Sequence, residues 1–245
     1  YCFGEDRPPM TAADCAFFLT AENGLPVQDE KGSFVLDEEA VTAYVQSLAE
    51  EYDGYGRTRQ FHSTRGDVIT IDGGTYGSKM DRKKETAYLL EHLLDPGVHT
   101  GTPQSHIPGY EREAFCYGKN DIGDTYIEVD MTEQKMYYYE KGVLKLETEI
   151  VTGNMRRRMG TPEGVNFVYN KQKNRVLRGP GYASPVKFWM PVKGGIGIHD
   201  AGWRKEFGGD IYQTAGSHGC INTPKDKMEE LFDCVQIGTP VVMFY

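Results

Sequence analysis

The amino-acid sequence predicts a mixed fold, with an α+β first domain followed by a mostly β second domain that contains one late helix. Three features of its 245 residues indicate this fold. Apolar residues recur at helical spacing before residue 95, the periodicity is lost between 96 and 123, and short alternating runs typical of strands follow. We therefore predict two domains, at residues 1–120 and 121–245.

Two amphipathic helices and one strand are predicted in the first domain. Residues 37–53 begin with an acidic turn and continue with apolar side chains at helical spacing. Residues 82–94 repeat that pattern and are followed by Asp95-Pro96-Gly97, which predicts the end of a helix. Between them, residues 67–71 alternate and lead into Asp72-Gly73-Gly74, which predicts a strand closed by a turn.

The second domain is predicted to be mostly β because short alternating runs recur between turn residues. The first three runs flank short polar turns and predict a β-meander. The predicted strands are 126–130, 135–139, 144–151, 165–169, 186–190 and 241–245, with a helix at 225–234 before the last.

The composition favours a globular protein that does not bind nucleic acid. Hydrophobic residues make up 39% of the chain, enough to bury a core, and charged residues make up 26%, near the globular average. The net charge of −9 repels a phosphate backbone. The one dense basic run, Arg156-Arg157-Arg158, lies in turn-rich sequence and is expected to be a solvated loop.

Membrane insertion of this chain is not predicted, because it contains no run of about 18 apolar residues and no signal segment. The sequence begins with Tyr1 and not with Met. We therefore expect a leader, a membrane anchor or further domains outside this sequence.

The five cysteines include no CxxC pair and show no zinc-finger spacing, so structural zinc is not predicted. Their odd number leaves at least one thiol unpaired. Cys2 and Cys15 are close enough in sequence for a short disulfide, but two free thiols are an equal alternative.

The strongest chemical signal is a histidine followed 21 residues later by a cysteine in a Ser-His-Gly-Cys run at 217–220. A cysteine attacks as its thiolate, and a reference pKa of about 8.5 leaves it mostly protonated at neutral pH, so it needs a nearby base. His199 is the candidate base for Cys220. The amides of His218, Gly219 and Cys220 are candidate oxyanion donors, and Ser217 is expected to shape the turn.

Two other interpretations of these residues remain open. Taken alone, a cysteine and two histidines at such spacing are more often packing or loop residues. A metal site is also conceivable, because His199, Asp200, His218 and Cys220 carry zinc-compatible atoms. Adjacent histidine and aspartate seldom ligate one ion, so this interpretation ranks below the thiol site.

Ordered motifs over residues 124–245 resemble those of the L,D-transpeptidase (YkuD-type) catalytic domain. The resemblance includes His199 and the 217–220 run followed by Asn222, as in the enterococcal-type Gram-positive members. The other matching segments are the predicted strand pair at 126–139, Val151-Thr152-Gly153, Gly160-Thr161-Pro162-Glu163-Gly164, 184–191 and Gly238-Thr239-Pro240-Val241.

Residues 1–120 resemble, more weakly, the accessory domain of peptidoglycan-binding type that precedes this catalytic domain in such enzymes. Residues 37–55, Phe61 and Gly73-Gly74-Thr75-Tyr76-Gly77 carry this resemblance. A helix-rich spacer that only holds the catalytic domain away from the membrane is the alternative.

The resemblance implies an extracellular enzyme, at the cell wall or the outer face of the cytoplasmic membrane, that needs no cofactor or metal. Cys220 would attack the third residue of a peptidoglycan tetrapeptide stem, and His199 would pass the proton to the departing D-alanine. The side-chain amine of another stem would then form a 3→3 cross-link. Asp200 would orient His199 through its carboxylate or its backbone carbonyl. Carbapenem β-lactams are the expected covalent inhibitors.

The resemblance also leaves functional alternatives open. An L,D-carboxypeptidase would use water in place of the acceptor amine, and a wall-binding module would carry a silent thiol. Substrate contacts are assigned to Trp189, Tyr182 and Asn222, although aromatic residues in β domains more often belong to the core. Lys187 and Arg204 are candidates for binding substrate carboxylates, with simple surface charge as the alternative.

Two positions depart from the family pattern. Asn166 stands where an aromatic residue is common, and this puts local packing in question. Asn222 stands where many members carry arginine, which alters the surroundings of the predicted site.

Overall fold

The computed structural model describes residues 1–95, 105–179 and 181–245. The chain forms two compact units, one of Tyr1–Gly54 with Gly77–Asp121 and the other of Tyr55–Tyr76 with Ile122–Tyr245. The sequence assigned residues 55–76 to a continuous first domain, but they belong to the second unit. The predicted mixed fold, α+β and then mostly β with a late helix, is confirmed.

The first unit has its core between two capped helices. The Asp37 carboxylate accepts the Ala40 amide at 3.0 Å at the start of one helix, and Asp81 accepts the Lys84 amide at 3.2 Å at the start of the other. Both predicted helices are confirmed, although Pro96-Gly97, expected to end the second, lie outside the described residues. The elements of this unit are α1 (Ala12–Ala16), β1 (Ala21–Glu22), β2 (Leu25–Pro26), α2 (Glu38–Tyr52), β5 (Lys79–Met80), α3 (Arg82–His92) and β6 (Tyr110–Arg112).

A five-stranded sheet forms one part of the second unit. The predicted β-meander is confirmed by antiparallel pairing of three successive strands, β7 with β8 and β8 with β9. The last strand of the chain, β15, lies parallel to β7, which gives the order β10-β15-β7-β8-β9. These strands are β7 (Tyr126–Asp130), β8 (Lys135–Glu140), β9 (Val143–Glu149), β10 (Gly164–Phe167) and β15 (Pro240–Phe244).

A four-stranded sheet of order β11-β12-β13-β14 forms the other part. Its strands β13 and β14 run parallel, with His199 opposite Asn222. The late helix α5 buries Met228 and Leu231 in a core that both sheets share. The elements here are β11 (Gln172–Gly179), β12 (Tyr182–Lys193), β13 (Ile196–Asp200), α4 (Ile211–Ala215), β14 (Ile221–Thr223) and α5 (Lys225–Cys234).

A hairpin of β3 (Arg59–His62) and β4 (Val68–Ile71) attaches residues 55–76 to the five-stranded sheet through buried carboxylates. The Thr64 amide and hydroxyl donate to the Glu128 carboxylate at 2.8 and 2.7 Å. Arg65 Nη1 lies 3.1 Å from both carboxylate oxygens of Asp130, whose side chain is 1% exposed. Burying such a carboxylate is costly unless it is paired, so the hairpin is part of this unit's core structure.

Asn166, one of the two departures from the family pattern, lies at the same attachment. Its side-chain oxygen accepts hydrogen bonds from the Thr75 amide and hydroxyl, each at 3.1 Å. Gly74 bridges to Val165 so closely that a Cβ would lie 1.9 Å from the Val165 carbonyl oxygen. A buried amide therefore replaces aromatic packing here and binds residues 55–76 to β10.

Candidate active site

The candidate base His199 is held in the middle of the four-stranded sheet. It pairs with Trp189 of β12 on one side and with Asn222 of β14 on the other, and it is 4% exposed. Gly197 allows this packing, because a Cβ there would lie 2.4 Å from the Met190 carbonyl oxygen. The imidazole position is thus fixed by backbone pairing.

The candidate nucleophile Cys220 is half-buried and lies immediately before β14. The preceding Gly219 adopts a φ of +115°, a backbone conformation in which any residue with a side chain would be strained. The sharp turn into the strand therefore requires glycine. His199 and Cys220 line the same cavity of about 200 Å³. The parallel pairing of β13 with β14 therefore brings together two residues that are 21 positions apart in sequence.

The orientation of His199 is set by the backbone of Asp200. His199 Nδ1 lies 2.9 Å from the Asp200 carbonyl oxygen. A carbonyl only accepts, so Nδ1 carries the proton and Nε2 keeps the lone pair that a base needs. The Asp200 carboxylate accepts the Phe188 amide at 2.7 Å. Of the two orienting modes left open by the sequence, the structure shows the backbone carbonyl.

The Asn222 amide lies between His199 and Arg204. Arg204 can only donate, and Nε2 of His199 can only accept in this tautomer, so the amide oxygen must face Arg204 and the amide nitrogen His199. In that orientation the oxygen lies 2.7 Å from Arg204 Nε and 3.2 Å from Nη2, and the nitrogen lies 3.2 Å from His199 Nε2. Asn222 is 2% exposed, so its amide contacts the base from within the protein.

The surroundings favour uncharged forms of both candidate catalytic groups. Burial lowers the pKa of His199 below its usual value, and the charge of Arg204 acts in the same direction, while the contacts with Asp200 oppose the shift. Burial raises the pKa of the Cys220 thiol, with only a weaker opposing effect from the Gly197 backbone. The Cys220 Sγ lies 3.7 Å from the Gly195 carbonyl oxygen, which accepts a thiol proton. Both shifts therefore favour a thiol and a neutral imidazole in the resting pair.

The motif residues Ser217, His218 and Gly219 form the turn before Cys220. Ser217 Oγ donates to the Cys220 carbonyl at 2.6 Å and accepts the Gly219 amide at 3.0 Å, as expected for a residue that shapes the turn. This bond occupies the Gly219 amide, one of the three predicted oxyanion donors. Among the described residues, the amides of His218 and Cys220 donate no hydrogen bond.

Aromatic residues surround the thiol. Tyr182 stacks on His218 with ring centroids 4.7 Å apart. Tyr182 and Trp189 line a second cavity of about 630 Å³ that also reaches Cys220, while Trp203 lines the smaller one. Tyr182 and Trp189 thus lie beside Cys220, where contact with a substrate remains a prediction. Trp189 is 7% exposed and so belongs to the packed interior as well.

Lys187 and Arg204, the candidates for binding substrate carboxylates, have different surroundings. Lys187 pairs with Glu229 at 2.9 Å and lines neither cavity, whereas Arg204 lines the smaller one. Cys2 and Cys15 are free thiols and do not form the short disulfide left open by the sequence.

Within the described ranges, no group of three His, Cys, Asp or Glu side chains is placed to hold a metal ion. No helix among those residues is long and apolar enough to cross a membrane.

Comparison with known proteins identifies the kind of protein that carries this fold and site. Residues 124–243 match the YkuD family, described as the L,D-transpeptidase catalytic domain. Residues 21–97 match the PG_binding_4 family, described as a "putative peptidoglycan binding domain". A transpeptidase domain thus coincides with the sheets that hold His199 and Cys220.

Solved structures extend the similarity to nearly the whole chain. A cysteine-to-serine mutant of Enterococcus faecium L,D-transpeptidase is 37% identical over 96% of this chain and 90% of that chain, with a TM-score of 0.81. The Ldtfm–avibactam carbamoyl enzyme is 38% identical over 96% of this chain and 88% of that chain, also with a TM-score of 0.81. No curated protein matches the chain. The chain belongs to the L,D-transpeptidase family.

Proposed function

We propose that the protein is a peptidoglycan L,D-transpeptidase that forms 3→3 cross-links through a thioester on Cys220. Family membership supports the transpeptidase class, and one observation supports this reaction in particular. Cys220 lies on the wall of two cavities, of about 630 and 200 Å³, which share only Leu177 and Tyr182 besides the thiol. A transpeptidase must bring two peptides to one sulfur atom, and two cavities that meet at Cys220 fit that need.

In the first step the donor stem acylates Cys220. Sγ forms a bond to the carbonyl carbon of the third stem residue, and its proton passes to the lone pair of His199 Nε2. There it displaces the hydrogen bond from the Asn222 amide, whose nitrogen lies 3.2 Å from Nε2 in the resting site. The carbonyl π electrons move to the oxygen. When the intermediate collapses, the bond to D-alanine breaks and the departing amine takes the proton from Nε2. The free amides of His218 and Cys220 are the proposed donors to the oxyanion.

In the second step the side-chain amine of another stem attacks the thioester. It gives a proton to His199, forms the new amide bond and releases Cys220 as a thiol. The departing and attacking amines exchange a proton with the same Nε2 atom, so both must occupy the cavity that His199 lines. We therefore place the acyl part of the donor in the larger cavity, against Trp189 and Tyr182, and the two amines in turn in the smaller one.

Peptidoglycan as the substrate also indicates a role for the first unit and a location for the enzyme. The match of residues 21–97 to a peptidoglycan-binding family supports a role in holding the enzyme on its polymer. Peptidoglycan stems and their cross-links lie outside the cytoplasmic membrane. We therefore propose an extracellular location at the cell wall or membrane surface, with a membrane anchor outside this sequence.

Covalent inhibition by carbapenems follows from the same chemistry. A thiol with a base and oxyanion donors opens a strained β-lactam by the acylation step described above. The relative Ldtfm, 38% identical to this chain, forms a carbamoyl enzyme with avibactam. We expect one carbapenem molecule to add to each protein molecule, at Cys220. Mass spectrometry of the intact protein and of its peptides measures this stoichiometry and position.

The central test is incubation of the purified protein with disaccharide-tetrapeptide, followed by mass spectrometry of the products. We expect a 3→3 dimer with one D-alanine released per cross-link, and little acyl-enzyme from a pentapeptide. Varying the third residue would also show which diamino acid is accepted.

Three other outcomes would contradict the proposal. Tripeptide without dimer would indicate an L,D-carboxypeptidase, with water in place of the amine. Preferential cleavage of pentapeptide between its two D-alanines would indicate the reaction typical of serine enzymes. No turnover and no adduct would indicate a wall-binding module with a silent thiol.

A further inference from the structure

Arg204 and Asn222 form a hydrogen-bonded chain that ends on the base, and the proposed acylation steps do not use it. The chain runs from the Arg204 guanidinium to the Asn222 oxygen, and from the Asn222 nitrogen to Nε2 of His199. Arg204 Nη2 also donates to the Ala215 carbonyl at 2.9 Å, in the segment that leads to the 217–220 turn. One guanidinium therefore holds both the amide and the loop that carries the thiol.

The amide orientation is chemically important because its two ends affect His199 in opposite ways. An N–H group directed at Nε2 stabilises the neutral imidazole, whereas a carbonyl oxygen in the same place would accept from Nε2–H and stabilise the imidazolium. The two orientations fill the same volume, so packing does not distinguish them. His199 can accept at Nε2 or, once protonated, donate there, so it is compatible with either orientation, whereas Arg204 donates and cannot accept.

We propose that Arg204 is a positioning residue for the transpeptidase reaction: it locks the Asn222 amide so that its N–H faces His199, and so keeps the base neutral until Cys220 attacks. This inference rests on the proposed function. An imidazole that is poorly stabilised once protonated also returns its proton readily, which favours its transfer to the departing amine. Arg204 then acts through Asn222 and His199 and need not touch the substrate.

The other titratable groups around His199 do not provide this control of the amide. The Asp200 carboxylate bonds the Phe188 amide, and only the backbone of Asp200 contacts the imidazole. The remaining titratable groups in the same cavity are Tyr182, His218 and Cys220. Tyr182 stacks on the His218 ring. Arg204 is thus the fixed positive charge in this cavity.

The test is a double-mutant cycle read out as the pKa of His199 by NMR titration. Arg204→Met should raise that pKa by about one unit, since both the donor and the charge are lost and the amide is free to turn. In an Asn222→Ala background the same substitution should have a much smaller effect, because no amide is left to turn. A His199→Gln variant assigns the signal among the six histidines.

Two control variants separate the hydrogen bonds of Arg204 to Asn222 from the effect of its positive charge alone. Lys205→Met removes a neighbouring exposed charge and should leave the pKa of His199 unchanged. Arg204→Lys keeps the charge but not the fork that spans Asn222 and Ala215, so it should raise the pKa partway. Arg204→Lys also serves in the cycle if Arg204→Met does not fold, as judged by circular dichroism.

The outcomes divide clearly. An unchanged pKa of His199 in Arg204→Met would overturn the inference, as would an equal shift with and without the Asn222 amide, which would indicate charge alone. The NMR pKa needs no turnover, so this failure differs from failure of the proposed function, which would show as a wild-type protein that makes no thioester from tetrapeptide. In an active enzyme, the acid limb of the acylation pH profile should move upward with the pKa of His199.

Discussion

Asp130 on the five-stranded sheet and His199 on the four-stranded sheet are both buried ionisable groups, but they differ in their partners. On the five-stranded sheet, the Asp130 carboxylate is paired with Arg65 at 3.1 Å. On the four-stranded sheet, His199 is bonded to a carbonyl and an amide, and burial shifts the pKa values of His199 and Cys220 towards their neutral forms. The charged partner of Asp130 stabilises the ionised carboxylate, whereas the surroundings of His199 stabilise a neutral imidazole.

The largest expected effect tests whether the chemistry belongs to the four-stranded sheet alone. Cys220→Ala should abolish both cross-linked product and covalent adduct, because no other cysteine shares a cavity with His199. Cys234→Ala is the matched control, since Cys234 is an exposed thiol at the end of α5. Product and adduct are measured by mass spectrometry. Equal loss of activity in the two variants would contradict the assignment of the nucleophile.

The pH dependence of thiol alkylation tests whether the resting pair is neutral. Because the pKa of Cys220 is raised, its thiolate fraction should increase about tenfold per pH unit from pH 6 to beyond 8.5. Rates of iodoacetamide labelling at Cys220, followed by peptide mass spectrometry, measure this slope. A rate that is independent of pH between 6 and 8 would instead indicate a preformed thiolate–imidazolium pair.

The smallest expected effect concerns stability of the five-stranded sheet. Arg65→Met should lower the free energy of unfolding by about 2 kcal/mol, less than the ~3–5 kcal/mol typical of breaking a fully buried pair. Arg65 is itself 23% exposed, and Asp130 keeps hydrogen bonds from the Thr132 and Glu133 amides. Urea unfolding followed by tryptophan fluorescence reports on this unit, since Trp189 and Trp203 both lie in it.

A surface pair provides the control for that measurement. Lys145 lies 3.9 Å from Glu140, and both side chains are more than 40% exposed. Lys145→Met should therefore change the free energy of unfolding by less than about 0.5 kcal/mol. A loss as large as that of Arg65→Met would show that removal of positive charge, and not loss of the buried pair, destabilises the protein.

Hydrophobic periodicity in the sequence was sufficient to predict the helices and strands that bury one face. The helix predicted at 37–53 is α2, the helix at 225–234 is α5, and the meander from 126 to 151 is β7–β9. Strand β11 gave no such signal, because residues such as Lys173, Asn174 and Arg175 are exposed and the strand lacks an apolar face. It nevertheless supplies Leu177 to both cavities at the thiol.

Local sequence patterns could not predict contacts between residues that are distant in sequence. The sequence placed residues 55–76 with the first domain, since nothing near Arg65 indicates a partner 65 positions later. The motif predicted His199 as base and Cys220 as nucleophile, which stays a prediction, and it left open which group of Asp200 faces the imidazole. The orientation of Asn222 depends on the donor-only chemistry of Arg204, which becomes visible only when the two side chains meet.

The parallel pairing of β13 with β14 also affects how such an enzyme can evolve. The ladder fixes His199 relative to the strand that begins after Cys220, whatever the length or composition of the connection at 201–219. That connection supplies Trp203, Arg204 and the 216–218 wall of the smaller cavity. Insertions and substitutions there can alter which amine is accepted, or the proton affinity of the base, without moving the two reacting groups apart. The connection can thus tune both the acceptor and the base, while the strand pairing preserves the reacting pair, so related enzymes can diverge in acceptor while keeping one chemistry.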